Sequence, residues 1–299
     1  MTSLNSLAFV GLGVMGYPMA GHLQTAGYSV TVYNRTKNKA EQWQTQYGGH
    51  TAATPAAAAK NARMVFTCVG NDDDLRSVIY GADGILAGLA EGGYIIDHST
   101  TSAEVARELA VVCADKGCFF MDAPISGGQQ GAENGALTIM CGAEEEVFAA
   151  AEPILQHYAK AVNHMGPAGA GQLTKMCNQI AVAGAVQGLA ESMLFAEQAG
   201  LDVAKAVAVM SAGAASSWQM VNRHQTMIAG DYDHGFAVDW MLKDLAICLT
   251  EAQRNGAEVP VTTIINNYYK EISAMGGGRW DTSSLLKRLQ NIVASKQEH

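Results

Sequence analysis

The sequence predicts an α/β domain with a mostly parallel sheet over residues 1–165, followed by an all-helical domain over 166–299. Three observations predict this. In the first half, short β-prone apolar runs alternate with helical segments, the pattern of parallel strands joined by right-handed crossovers. The first of those runs leads straight into a glycine cluster. Beyond about Met165 strand candidates become scarce, and apolar helical segments take over after the glycine-rich "HMGPAGAG" at 164–171.

The elements follow in order. "LAFV" at 7–10 is a buried strand, and 15–26 a helix of small and apolar residues ending near Gly27. A strand at 30–33 precedes a polar helix at 37–47, stopped by Gly48 and Gly49. Thr54 and Pro55 read as N-cap and first position of an alanine helix. A strand at 64–69 leads to Asp72, Asp73 and Asp74, whose charge suits the start of a helix running to Tyr80. A strand at 94–97 ends in a polar loop at 98–102, which caps a helix over 103–116; strands at 118–122 and 137–141 follow. In the second half, 170–199 is one long helix, hydrophobic nearly all round and so expected to be buried on most sides. Further helices are expected at 202–211, 216–229, 237–255, 260–274 and 282–295.

Composition narrows the function. Of 299 residues, 48% are hydrophobic and 16% charged, ample for two cores; the net charge of −9 argues against nucleic acid as a partner. Six cysteines, Cys68, Cys113, Cys118, Cys141, Cys177 and Cys248, form no C-x-x-C and have no histidine cluster beside them. They read as reduced thiols of a cytoplasmic protein with no metal site. No signal peptide or membrane span is expected, because the N-terminal apolar run is itself a strand and later apolar runs are broken by Gln187 and Glu191.

The glycine cluster is G-x-G-x-x-G, with Gly11, Gly13 and Gly16 between a strand and a helix. The first glycine permits the tight turn, the second lets backbone approach a pyrophosphate, and the third lets helix pack on strand. The helix N-terminus favours the phosphate charge. With a strand before it and a second strand at the right distance after it, the cluster reads as the phosphate-binding turn of a Rossmann domain; the alternative is an ordinary glycine-rich turn. The next strand ends at Asn34-Arg35-Thr36, where NAD-preferring domains place a carboxylate on the ribose hydroxyl. Neutral Asn34 does not repel a 2′-phosphate, Arg35 can grip one through two hydrogen bonds, and Thr36 and Lys39 add a hydroxyl and a charge. The pattern favours NADP(H), with NAD(H) possible; alternatively Arg35 is a solvated residue at a helix start.

Three stretches carry chemistry. In "DAPISGGQQGAENGALTIMCG" (122–142), Ser126, Gly127 and Gly128 offer a hydroxyl and open amides after a strand end. They read either as a cradle for a substrate carboxylate or as a glycine turn. In "GPAGAGQLTKMCNQ" (166–179), Lys175 and Asn178 share a face of an otherwise apolar helix. Desolvation lowers a lysine's pKa and suits it to general acid/base work, unless the side chain snorkels to solvent. In "FAVDWMLKDL" (236–245), Lys243 and Asp244 either pair locally or reach into the site.

Together these motifs, over essentially the whole chain, resemble the β-hydroxyacid dehydrogenase family. That family includes 3-hydroxyisobutyrate dehydrogenases, tartronate semialdehyde reductases and glyoxylate/succinic semialdehyde reductases. The resemblance implies hydride exchange between NADP(H) and a small hydroxyacid or semialdehyde, in a homodimer or homotetramer. It implies that Lys175 exchanges the proton of the β-hydroxyl, and that Ser126, Gly127 and Gly128 bind the carboxylate. Asn178, Trp218 and Asp244 are implied as further substrate contacts. The cofactor motif covers Gly11, Leu12, Gly13, Val14, Met15 and Gly16; Asn34, Arg35, Thr36, Val69, Gly70, Asp74, Thr100 and Lys243 complete the implied cofactor contacts. Two departures stand out: Val69-Gly70 replaces the family's Leu-Pro turn, and Gln179 occupies a position where many members carry a functional asparagine. Substrate choice is expected to rest on side chains such as Ile125, Trp218, Met220, Phe236 and Asp239. Imine reductases share the architecture but usually lack the lysine, and a non-catalytic dinucleotide-binding scaffold would not need both Lys175 and the 126–128 cradle.

Overall fold

A computed structural model describes residues 5–297. The chain forms two compact units, the first ending at Lys175 and the second beginning at Met176. The first unit holds one sheet of strands β1 (Ser6–Val10), β2 (Ser29–Tyr33), β3 (His50–Thr51), β4 (Met64–Thr67), β5 (Tyr94–Asp97), β6 (Phe119–Asp122), β7 (Ile125–Ser126), β8 (Leu137–Gly142) and β9 (Ala159–Gly166). Their order is β3-β2-β1-β4-β5-β6-β8-β7, with β9 against β8. The strands from β3 through β6 pair in parallel; β8 runs antiparallel to β6 and β7 and parallel to β9.

The central strands β1, β4, β5 and β6 are buried on both faces, because nearly all of their residues are apolar. Leu7, Phe9, Met64, Phe66, Ile96 and Met121 enter one core layer, while Ala8, Val10, Val65, Ile95 and Phe120 enter the other. This is the two-residue alternation of strand side chains. The expected caps form: Thr54 accepts from Ala57 N–H, and Ser102 from Val105 N–H. The helix Glu145–Leu155 and strand β9 have no counterpart in the sequence reading. Pro153 lies inside that helix, and β9 carries Lys160, Asn163 and His164 among its apolar residues, which obscures both patterns.

The unit boundary falls later than 165/166, at Lys175/Met176. The reason is that the first turns of the long helix Ala170–Gln198 are hydrogen-bonded into the sheet unit. Asp122 accepts from Gly169 and Gln172, Gln172 bonds the 99–101 loop, and Lys175 donates to Ile125.

In the second unit the helices Val203–Ser211, Trp218–Ala229, Val238–Asn255, Pro260–Ile272 and Leu285–Gln297 follow. Val186, Met193, Val207, Met241, Ile265 and Tyr269 are among its core residues. The expectation that the long helix is buried on most sides is corrected: less than half of its most apolar stretch is buried, and Phe195 is 74% exposed. Its sequence is apolar all round, but this chain supplies partners for only part of its circumference. Length and apolar composition alone would let this helix cross a bilayer. Its first turns are tied by hydrogen bonds to the ends of β6 and β5 and to Ile125.

Candidate active site

Strand register lines up the site. Val10, Thr67, Asp97 and Asp122 are the last residues of β1, β4, β5 and β6 and pair successively across the sheet. The loops that follow therefore leave from one edge, the carboxyl end of the parallel strands, where ligands of such sheets bind. They contain Gly11 to Gly16, Val69-Gly70, Thr100 and Ser126 to Gly128; β2 ends beside β1, so Asn34 to Thr36 join the same edge.

The glycine loop fits a dinucleotide on structural grounds. Gly11 has φ +99°, and a Cβ there would strike the Cys68 carbonyl; a Cβ on Gly16 would strike the Gly11 carbonyl. Around Gly13 the space is open to 4 Å, so this backbone is accessible to a ligand. Val14 is exposed and Met15 half-buried beside it, whereas Leu12 is buried. Leu12 N–H donates to Asn34 Oδ1 at 2.9 Å, so Asn34 braces the loop as well as leaving the position uncharged. Asn34 Nδ2 donates to Thr36 O. The Arg35 side chain is 88% exposed, its guanidinium 3.6 Å from the Asp74 carboxylate.

Below the loops lies a buried polar row. Thr67 Oγ1 and Ser99 Oγ both donate to Asp97 Oδ1 at 2.6 Å. Ser99 Oγ in turn accepts from Val69 N–H at 2.9 Å, fixing the Val69-Gly70 turn. Burial pushes the Asp97 carboxyl up to about 7, although those hydrogen bonds pull it down. His98 Nδ1 lies 2.7 Å from the Ala123 carbonyl and Nε2 2.8 Å from Tyr158 Oη. A carbonyl only accepts, so Nδ1 carries the proton and Nε2 accepts from the tyrosine. Burial lowers His98 to about 4, which keeps the ring neutral.

Lys175 is buried, and its Nζ donates to the Ile125 carbonyl at 2.9 Å. That carbonyl immediately precedes Ser126, Gly127 and Gly128. Gly127 and Gly128 have φ of +138° and +63°, and both are exposed. The Ser126 side chain is half-buried on β7. The lysine thus does not snorkel: its amine is held beside the cradle by backbone.

In the second unit, Asn178 Nδ2 donates to Gln179 Oε1 at 2.9 Å, and Gln179 Nε2 donates to Asp244 Oδ2 at 2.6 Å. Lys243 Nζ lies 3.1 Å from Asp244 Oδ1, the local pair considered from sequence. Asn178 and Asp244 are therefore joined through Gln179, and Asp244 is buried. Trp218 is exposed, with the Arg223 guanidinium 5.0 Å over its ring. Phe236 and Asp239 are also exposed, while Ile125 and Met220 are buried in the cores, so their side chains are packing residues.

Sequence reasoning did not single out Asp97, His98, Asp122 or Gln172 as site-forming. The available signal was a lone acid ending an apolar strand, in "YIID" and "FFMD". Among the described residues, no cluster of three potential metal-binding side chains occurs.

A parallel sheet with a glycine loop at the turn after β1, and a buried lysine beside a glycine-rich cradle, defines the class of nicotinamide-dependent oxidoreductases. The comparisons agree. Residues 6–166 match the NAD binding domain of 6-phosphogluconate dehydrogenase. Residues 169–289 match the family described as NAD-binding of NADP-dependent 3-hydroxyisobutyrate dehydrogenase. An uncharacterized oxidoreductase of Shewanella frigidimarina is 57% identical over 95% of this chain and 98% of its own length. A probable 3-hydroxyisobutyrate dehydrogenase-like protein of Arabidopsis thaliana is 40% identical over 99% of this chain and 89% of its own. The solved structure of Mycobacterium tuberculosis 3-hydroxyisobutyrate dehydrogenase with L-serine superposes with a TM-score of 0.86 at 27% identity, covering 96% of this chain and 99% of that one. This chain belongs to the β-hydroxyacid dehydrogenase family, and is an NAD(P)-dependent oxidoreductase.

Proposed function

We propose that this enzyme exchanges hydride between NADP(H) and a small 3-hydroxyacid or semialdehyde, with Lys175 as general acid/base. The observation that carries this reading is the seat of Lys175 Nζ on the Ile125 carbonyl, one residue before the Ser126-Gly127-Gly128 cradle. In oxidation the neutral amine takes the hydroxyl proton at Nζ; in reduction the ammonium returns it to the developing alkoxide. The Ser126 hydroxyl and the amides of Gly127 and Gly128 hold the substrate carboxylate, which sets the hydroxyl at a fixed reach from the lysine. The nicotinamide, when bound, accepts or supplies the hydride. Arg35 and neutral Asn34 favour the 2′-phosphate of NADP. Asn178 orients substrate, and Gln179 and Asp244 hold Asn178 in place.

The name of the Arabidopsis relative and the L-serine in the mycobacterial structure support the substrate class, because serine is itself a 3-hydroxyacid. We read the enzyme as a cytoplasmic homodimer or homotetramer, with the long helix supplying contacts through exposed residues such as Phe195. The test is a turnover panel: glyoxylate and small semialdehydes with NADPH, beside 3-hydroxyisobutyrate and serine with NADP and NAD. Turnover of at least one acid, faster with the NADP couple, is expected. No turnover across the panel, or turnover equally fast with NAD, contradicts the reading.

A further inference from the structure

We propose that Asp122 is a positioning residue for Lys175: its carboxylate caps the long helix from the end of β6 and fixes where the lysine amine sits. The inference rests on the reading of Lys175 as the proton-transfer group.

The first N–H groups of a helix have no intrahelical acceptor. A Ser, Thr, Asp or Asn just before the helix usually supplies one. Here the preceding residues are Gly166-Pro167-Ala168-Gly169, none with a side-chain acceptor. The acceptor comes instead from Asp122, far away in the chain. Its Oδ1 takes the Gly169 N–H at 2.7 Å and its Oδ2 takes the Gln172 N–H at 2.8 Å. Using both oxygens fixes the rotation of the helix as well as its distance. The approach leaves no spare room: a Cβ on Gly171 would come within 2.8 Å of Asp122 Oδ2.

Gln172 completes the grip. Its Oε1 accepts from Thr101 N–H at 3.1 Å, and its Nε2 donates to the Ser99 carbonyl at 2.8 Å. One turn further, on the same face, comes Lys175. Its amine returns to the carbonyl of Ile125, three residues beyond Asp122. The helix start, the lysine amine, the cradle and the loop carrying Thr100 are thus referred to one strand end.

This arrangement has a titratable element. Burial raises the Asp122 carboxyl to about 6 against the pull of its backbone hydrogen bonds. The titratable groups facing it are Asp97 on β5 and Cys141 on β8. Burial pushes Cys141 to about 12, so it stays neutral. Protonating Asp122 sets an O–H against one of the two N–H groups, Gly169 or Gln172, so one of the two capping contacts is disrupted while the other oxygen still accepts. A carboxyl raised in the folded state favours folding more as pH falls from about 6 toward its ordinary value. Buried His98, lowered to about 4, works in the opposite direction below its ordinary value, so the fold is followed beside the rate across that window.

The experiment compares wild type, Asp122→Asn and Lys175→Met by steady-state reduction kinetics against pH, NADPH titration, and hydrogen exchange of the 166–178 segment in the free protein. Asp122→Asn is expected to lower kcat about 10- to 100-fold, the effect of misplacing a reacting group. NADPH affinity should stay within about threefold, since the groups expected to bind it are untouched. The segment should exchange faster, and the acid limb of kcat near pH 6 should vanish. Full kcat in Asp122→Asn, an unchanged acid limb, or an equal loss of NADPH affinity overturns the proposal. Where Asp122→Asn does not fold, carboxyl and amide NMR of wild type decides: the Gly169 and Gln172 amides must titrate with Asp122 and with the acid limb, and separate midpoints overturn it. Full turnover by Lys175→Met removes the reading of the lysine instead, whereas an inactive Lys175→Met beside a fully active Asp122→Asn removes only the positioning role.

Discussion

Lys175→Met is expected to lose roughly 10²- to 10⁴-fold in turnover, the usual contribution of a positioned general acid/base. NADP affinity should survive, because the glycine loop, Asn34 and Arg35 are unaltered. Methionine approximates the length of the lysine stem, so the helix packing around residue 175 is largely kept. Lys175→Arg should not restore the rate, since a guanidinium does not give up its proton near neutral pH. In wild type the rate of hydroxyacid oxidation should rise with pH, because only the neutral amine accepts a proton. Steady-state turnover across pH with cofactor titration checks all four; near-normal rates in folded Lys175→Met would refute the role assigned to the lysine.

Arg35→Asp is expected to move cofactor preference toward NAD. Losing a charge-assisted contact to the 2′-phosphate costs about 1.5–3 kcal/mol, roughly tenfold or more in NADP binding. The structure sharpens this expectation. The existing contact of Arg35 with Asp74 is long and the arginine is largely solvent-exposed, so a phosphate displaces little by taking it. The brace between Asn34 and Leu12 does not involve the Arg35 side chain, so the loop should keep its shape and NAD binding should change little. Dissociation constants for both cofactors, in both proteins, are the measurement. Equal affinity of wild type for NAD and NADP would count against the assignment.

The features legible in the sequence are those with local causes. The glycine loop is legible because only glycine tolerates φ of +99° at Gly11 and the closeness of Gly16 to the Gly11 carbonyl. The caps at Thr54 and Ser102 are legible because each bonds an amide three residues on. The alternating strands and helices follow from apolar runs and their punctuation. Lys175 could be singled out because a cation on an apolar helix demands a reason.

The illegible features depend on residues distant in sequence. Asp122 meets Gly169 and Gln172 only after β6 and the long helix are in place, and Gln172 reaches Ser99 and Thr101 in the same way. No local pattern distinguishes such an aspartate from one that merely ends a strand. The same holds for Asp97, whose partners Thr67 and Ser99 meet at adjacent strand ends. The uncovered face of the long helix was illegible for another reason: composition tells how apolar a helix is, not how much of it one chain covers.

The central claim is that the 126–128 cradle and Lys175 together recognise a hydroxyl held at fixed reach from a carboxylate. The most direct measurement is NADP-dependent oxidation of the best hydroxyacid from the turnover panel, run beside its primary amide at equal concentration. The acid should be oxidised and the amide should lose at least about tenfold in kcat/KM, the loss expected when a charge-assisted hydrogen-bonding partner is made neutral. Equal turnover of acid and amide would contradict the claim.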